Sequence, residues 1–145
     1  MKLLSLLATS ALLVPLAGCG TTRASDHTAQ VANPALQQPL DVVNERMRAY
    51  NAHDLDAFLA VYADDVEIFT YPNMSMGSGK AKMRGIFEPM FAEGKVKVVI
   101  QHQIAKDGYV INHEAVDYGE GDIEYVSIYE VRGGLIKTVR FVRDR

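Results

Sequence analysis

The sequence predicts an α+β domain in which three N-terminal helices pack on a strongly curved, mainly antiparallel sheet. Three observations carry this. Apolar residues recur at helical spacing between Leu40 and Met90, and from Lys95 onward the chain turns to β-branched and aromatic runs. Two hairpin signals, Lys106-Asp107-Gly108 and Gly133-Gly134, divide those runs into strand pairs. A length of 145 residues with 48% hydrophobic and 23% charged positions fits one domain with a core of its own.

Residues 1–18 stand apart from that domain. Lys2 supplies a positive start, and "LLSLLATSALLVPLAG" is apolar but carries Pro15 and is shorter than the roughly 20 residues of a spanning helix, so it reads as a cleaved export signal. It ends in Leu16-Ala17-Gly18-Cys19, which resembles the bacterial lipoprotein signal, in which the cysteine carries the acyl chains (palmitate among them) and becomes the first mature residue. Gly20 follows, not aspartate, which in that pattern directs a Gram-negative lipoprotein to the periplasmic side of the outer membrane. Cys19 is the chain's one cysteine, so no internal disulfide forms and stability must come from packing. Losing residues 1–18 removes Lys2 alone among the charges, so the net charge of −3 becomes −3 − 1 = −4. A mildly negative body is not drawn to anionic lipid, which leaves the holding to the anchor. Nor does that charge offer a clustered basic face for nucleic acid. The stretch 19–39, rich in Thr, Ala, Gln and Asn, is a flexible tether, and His27 within it has no neighbouring ligand.

The domain itself spans residues 40–145. Leu40, Val43, Met47 and Tyr50 form one apolar stripe, with Asp41, Glu45, Arg46 and Arg48 mostly outward. "NAHD" breaks this helix and Asp54 caps a second, with Leu55, Phe58, Leu59 and Tyr62 on one face. After "ADD" comes the strand "VEIFTY", and then "PNMSMGSG" reads as a loop. Lys80 to Phe91 forms a third helix, weakened by Gly85 and Pro89, with Met83, Ile86, Phe87 and Met90 inward. "KVKVVIQHQIA", "YVINHEAVDY", "IEYVSIYEVR" and "LIKTVRFVRD" complete a four-stranded meander.

This order, together with "YNAHDLDAFLAVYADDVEIF", "GSGKAKMRGIF", "VINHEAV" and "SIYEVRGGLIKTVRF", resembles the nuclear transport factor two-like superfamily, within it the SnoaL-like and ketosteroid-isomerase-like domains. The resemblance covers about residues 40–143 and is more specific for fold than for task. It implies a cone with an apolar interior and, because members commonly dimerise through the sheet, a homodimer. In the isomerases a carboxylate ending the first strand moves the proton. A first-helix tyrosine and a protonated late-strand aspartic acid bind the enolate oxygen. Here the base position falls on Thr70 or Tyr71, the oxyanion tyrosine on Arg46 with Tyr50 one turn on, and the late acid near Ser127. Tyr62, a supporting tyrosine in the isomerases, is retained. A hydroxyl is a poor proton acceptor near neutral pH, so the resemblance implies an isomerase-like fold with its catalytic carboxylates unmatched.

Other candidates come from strand parity. In "YVINHEAVDY" Val110, Asn112, Glu114 and Val116 share one side and Tyr109, Ile111, His113 and Ala115 the other, so either His113 or Glu114 points inward as a candidate acid or base. Asp64 and Asp65 are read as turn residues. Tyr62, Phe69, Tyr71, Phe87, Tyr125, Ser127, Tyr129 and Phe141 are the expected lining of an apolar ligand pocket. His53, His102 and His113 lack metal-ligand spacing, and no phosphate loop or dinucleotide fingerprint is present, so neither metal nor cofactor is expected. The expected function is an envelope lipoprotein binding a small apolar molecule. The alternatives are an isomerase, cyclase or hydrolase working through His113 or Glu114, and a protein-interaction module.

Overall fold

A computed structural model describes residues 38–143. The signal 1–18, Cys19, His27 and most of the tether expected over 19–39 lie outside them. Pro39 opens helix α1 (Pro39–Asn51), where its fixed φ and missing N–H cost nothing. The buried face of α1 is Val42, Val43, Arg46, Met47, Ala49 and Tyr50. This corrects the stripe read from sequence at two positions. Leu40 is exposed, and Arg46, expected outward, is buried because it lies one turn beyond Val42 and Val43 on the same face. Asn51 at the end of α1 donates its side-chain amide to the Val98 carbonyl (2.9 Å) and accepts from the Val98 amide (2.8 Å), clamping helix to sheet.

Asp54 caps α2 (Leu55–Ala60) by accepting from the Ala57 amide at 2.9 Å. Strand β1 (Tyr62–Thr70) follows directly. The segment expected as a loop instead contains β2 (Met74–Ser78), antiparallel to β1 with Phe69 opposite Ser75 and Thr70 opposite Met74. Its composition hid it, but β1 would otherwise be a sheet edge with open hydrogen-bonding groups. Helix α3 (Lys80–Glu93) carries Pro89 inside it and ends at Gly94, whose φ of 66° is the left-handed cap that glycine adopts without strain.

Strands β3 (Lys97–Lys106), β4 (Tyr109–Asp117), β5 (Asp122–Arg132) and β6 (Leu135–Val142) form the meander. At the last hairpin Gly133 and Gly134 both take positive φ, as the tight turn requires. The six strands form one sheet in the order β2-β1-β6-β5-β4-β3, antiparallel except where β1 runs parallel to β6. Registers slip within the β1–β2, β1–β6, β3–β4 and β5–β6 pairs, and such irregularities bend a sheet. The sheet does not close into a barrel. Helix α1 packs on β3 to β6, and α3 on β1 and β2. Tyr50, Phe58, Tyr62, Phe87 and Phe91 stack edge-on or tilted at the centre of the core, with Phe58 and Phe87 rings 4.6 Å apart. Among the described residues no helix is long and apolar enough to cross a membrane.

Candidate functional site

The helices do not fill the hollow of the sheet. A cavity of about 200 Å³ remains between α1, α3 and the sheet's inner face. Ile86, Phe87 and Met90 from α3 and Val98, Val116 and Phe141 from the sheet give it apolar walls. Its polar contributors are few: Arg46 and Tyr50 from α1, Thr70 ending β1, Glu114 from β4, Tyr118 and Tyr125, and the exposed Arg143 just past β6.

Glu114 is 2% exposed and placed inward by the alternation of β4. Its Oε1 accepts the Ser127 hydroxyl at 2.6 Å, a short bond of the charge-assisted kind. Among the described residues its Oε2 has only a 3.4 Å contact from Asn112 Nδ2, and Asn112 in turn accepts from Gln103 at 2.9 Å. Arg46, 3% exposed, donates Nε to the Tyr62 hydroxyl at 2.7 Å and Nη1 to the Met47 sulfur at 3.1 Å. Its guanidinium lies 5.2–5.4 Å from the ring centres of Tyr50, Phe58 and Tyr129. Burial alone would disfavour that charge, but Tyr129, Tyr62 and Glu114 more than offset it and Arg46 holds its proton more tightly than a free arginine.

The phenols respond to the same surroundings. Burial pushes Tyr50 up to about 12, with Arg46 opposing and Glu114 adding to the rise. Burial raises Tyr62 and Tyr129 as well, again against the pull of Arg46. The Tyr129 hydroxyl is buried with no hydrogen-bond partner of good geometry among the described residues, although Ser127 adjoins it. Tyr118 is raised by burial and by its pairing with the Tyr125 hydroxyl at 3.3 Å. All four stay neutral donors at physiological pH. The site therefore offers one buried carboxylate, one buried cation and several neutral hydroxyls around an apolar hollow, which is equipment for orienting a small molecule or for moving a proton.

Residues 43–139 match the profile of the SnoaL-like domain. The chain belongs to the SnoaL-like domain family. Among solved structures it is similar to a cystatin-fold protein from Novosphingobium aromaticivorans, at 23% identity and a TM-score of 0.67, covering 73% of this chain and 98% of that one. It is also similar to a putative ketosteroid isomerase from Kribbella flavida, at 15% identity and a TM-score of 0.66 over 76% of this chain and 80% of that one. An epoxide hydrolase of the LEH-like type from Mycobacterium tuberculosis matches at 21% identity and a TM-score of 0.61, over 77% and 86% of the two chains. No curated protein sequence matches significantly. At these identities the solved structures speak for the fold alone.

Within this SnoaL-like domain the residues expected to line a pocket separate into three groups. Phe87, Tyr125 and Phe141 line the cavity. Tyr62, Ser127 and Tyr129 are buried behind it, where Tyr62 holds Arg46 and Ser127 holds Glu114. Phe69 and Tyr71 lie elsewhere. Phe69 is on the outer face of β1, its ring 4.9 Å from the Arg140 guanidinium, because it alternates with the inward Ile68 and Thr70. Tyr71 lies beyond the end of β1 and is 54% exposed.

Of the two alternatives in β4, Glu114 is inside and His113 outside. His113 stacks on His102 with rings 5.6 Å apart and 6° from parallel, and its Nε2 lies 3.4 Å from Glu124. Among the described residues no three metal-binding side chains are grouped to hold an ion. Asp64 and Asp65 make exposed ion pairs with Lys80 and Lys137. The lining expected from sequence left out Arg46, Met76, Val98, Tyr118 and Arg143, although the resemblance had set Arg46 at the oxyanion-tyrosine position. For Arg46 the available signal was its spacing from Val42 and Val43.

Proposed function

We propose that this SnoaL-like domain binds a small, largely apolar molecule in its cavity and does not carry out ketosteroid isomerisation. The observation that carries the reading is the 200 Å³ hollow with apolar walls and Glu114 and Arg46 at its border. A core built only for stability gains by filling such a space, since interiors pack close to crystal density. Thr70, at the isomerase base position, borders the cavity with a hydroxyl, and the adjacent Tyr71 is exposed. Native mass spectrometry of protein purified from its own host tests the proposal. A co-purifying small molecule that shifts the Met90 and Val98 resonances is the expected result, and an apo protein whose methyl resonances ignore every small apolar probe overturns it.

A second reading is favoured by one observation, the fixing of Glu114 by Ser127 at 2.6 Å. A carboxylate held in place at an apolar cavity, with a cation from α1 bordering the same cavity, suits proton transfer in an isomerase, cyclase or hydrolase. The described roles of the Kribbella and Mycobacterium structures support looking for such chemistry. Turnover of a cavity ligand that disappears in Glu114→Gln but survives His113→Ala would establish it.

We further infer attachment to the cell envelope through acylated Cys19, on the strength of Leu16-Ala17-Gly18-Cys19 and the polar stretch that follows. Cys19→Ser is expected to release a folded domain into the soluble fraction, and its retention in membranes would contradict the anchor. The exposed Val99, Ile104 and Ile111 on the outer sheet face support a homodimer or a docking face for another envelope protein, which light scattering of the purified domain distinguishes.

A further inference from the structure

We propose that the occupant of the cavity is a neutral molecule of about one ring, presenting a hydrogen-bond acceptor to Arg46 and a donor to Glu114. This rests on the ligand-binding reading and names the class of ligand. Arg46 and Glu114 are both more than nine-tenths buried and both border the same cavity. Neither forms an ion pair with the other or with any described residue within 4.0 Å. Although Glu114 and Arg46 feel each other's charge, they make no direct contact, and buried charges are costly unless hydrogen bonds or a close partner compensate them.

The compensation supplied by the protein is incomplete on both sides. A guanidinium has five N–H donors. Among the described residues Arg46 spends one on the Tyr62 hydroxyl and one on the Met47 sulfur, and a thioether is a weak acceptor. A carboxylate only accepts, and Glu114 has one strong donor, Ser127 on Oε1, while Oε2 has the distant Asn112. The cavity thus presents spare donors of a cation and a spare acceptor of an anion. At the buried end an anionic ligand would serve Arg46 but bring a like charge toward Glu114, and a cationic ligand would do the reverse; Arg143, also in the lining, is exposed to solvent that screens its charge. A neutral molecule with a carbonyl or ether oxygen and a nearby hydroxyl or N–H serves both.

Size narrows the class further. The volume of about 200 Å³ is below the roughly 300–1,000 Å³ of sites for drug-sized molecules. A single ring with a short polar substituent fits within this space. The walls of Ile86, Phe87, Met90 and Phe141 suit the face and edges of such a ring.

The test is a matched series of phenyl probes on the purified domain. The probes are α-hydroxyacetophenone, acetophenone, ethylbenzene, the benzoylformate anion and the phenethylammonium cation. Dissociation constants are read from the Met90 and Val98 methyl resonances. α-Hydroxyacetophenone is expected to bind about tenfold more tightly than any of the other four, the advantage of a hydrogen bond to a charged group. In Glu114→Gln, checked for folding by thermal melting, the advantage over acetophenone is expected to shrink to about twofold or less. Tightest binding by benzoylformate or phenethylammonium overturns the proposal. Equal binding of all five, ethylbenzene included, overturns it while leaving an apolar ligand site intact. Binding of none overturns the ligand-binding reading itself. The wild-type series decides among these outcomes even if Glu114→Gln fails to fold.

Discussion

Replacing Ser127 by alanine removes the one short bond that holds Glu114. Ser127 Oγ lies 2.6 Å from Glu114 Oε1, and the two residues are 0% and 2% exposed. A hydrogen bond to a charged group contributes about 1.5–3 kcal/mol, and leaving a buried acceptor unsatisfied lies at the upper end. Glu114 borders the cavity, however, so a water can take the place of the lost hydroxyl. The lower end, about 1.5 kcal/mol, is therefore the expected cost. For a domain of about 100 residues this corresponds to a fall in Tm of about 6 °C or somewhat more. The assay is thermal unfolding of wild type, Ser127→Ala, Glu114→Gln and the double variant. With Glu114 neutralised, Ser127→Ala should cost much less, giving a coupling of at least about 1 kcal/mol. Additivity within about 0.3 kcal/mol would mean that the two side chains do not share a bond in solution, and the account of how Glu114 is oriented would fail.

Phe87→Ala should destabilise by about 3 kcal/mol, the low end for a buried phenylalanine, because one part of the ring borders the cavity while the rest packs on Tyr50, Phe58 and Phe91. Urea unfolding measures this, and a loss below about 1 kcal/mol would place the ring outside the core. Asn51→Ala, which removes both bonds to Val98, should cost about 2 kcal/mol and speed hydrogen exchange at the Val98 amide. Unchanged protection at that amide would count against the clamp. At high pH the tyrosines decide stability. An unfolded phenol ionises near pH 10, whereas Tyr50 is raised to about 12 and Tyr62, Tyr118 and Tyr129 are raised as well. A folded pKa above the unfolded one gives stability that is whole below about pH 10 and is lost as pH climbs through about 12. Tyrosinate absorbance should therefore rise in two stages, the second coinciding with unfolding. Reversible titration of all seven tyrosines near pH 10 in a folded protein would refute the burial assigned to these four.

Much of the architecture is written locally. The stripe Val43, Met47, Tyr50 announces α1, Asp54 caps α2, and the Gly133-Gly134 turn ties β5 to β6, because helix period, cap and hairpin depend on residues a few positions apart. Strand β2 escaped, since "MSMGS" has weak β propensity and is ordered by pairing with β1. Arg46 was read as surface from its charge. Its burial depends on Tyr62, which lies in another element and offers the acceptor.

By itself, then, the sequence determined the order of helices and strands apart from β2, the family, the single cysteine at Cys19 and the pairing of either His113 or Glu114 with the interior. Only the tertiary structure decided that Glu114 is the inward one, since parity names two faces and the bend of the sheet chooses which is concave. It also decided that Phe69 and Tyr71 lie away from the hollow and that Arg46 borders it beside Glu114. Whether aromatic side chains fill a cone or leave room in it depends on how rings from α1, α2 and α3 meet. That is a matter of packing between elements distant in the chain, which no local pattern encodes.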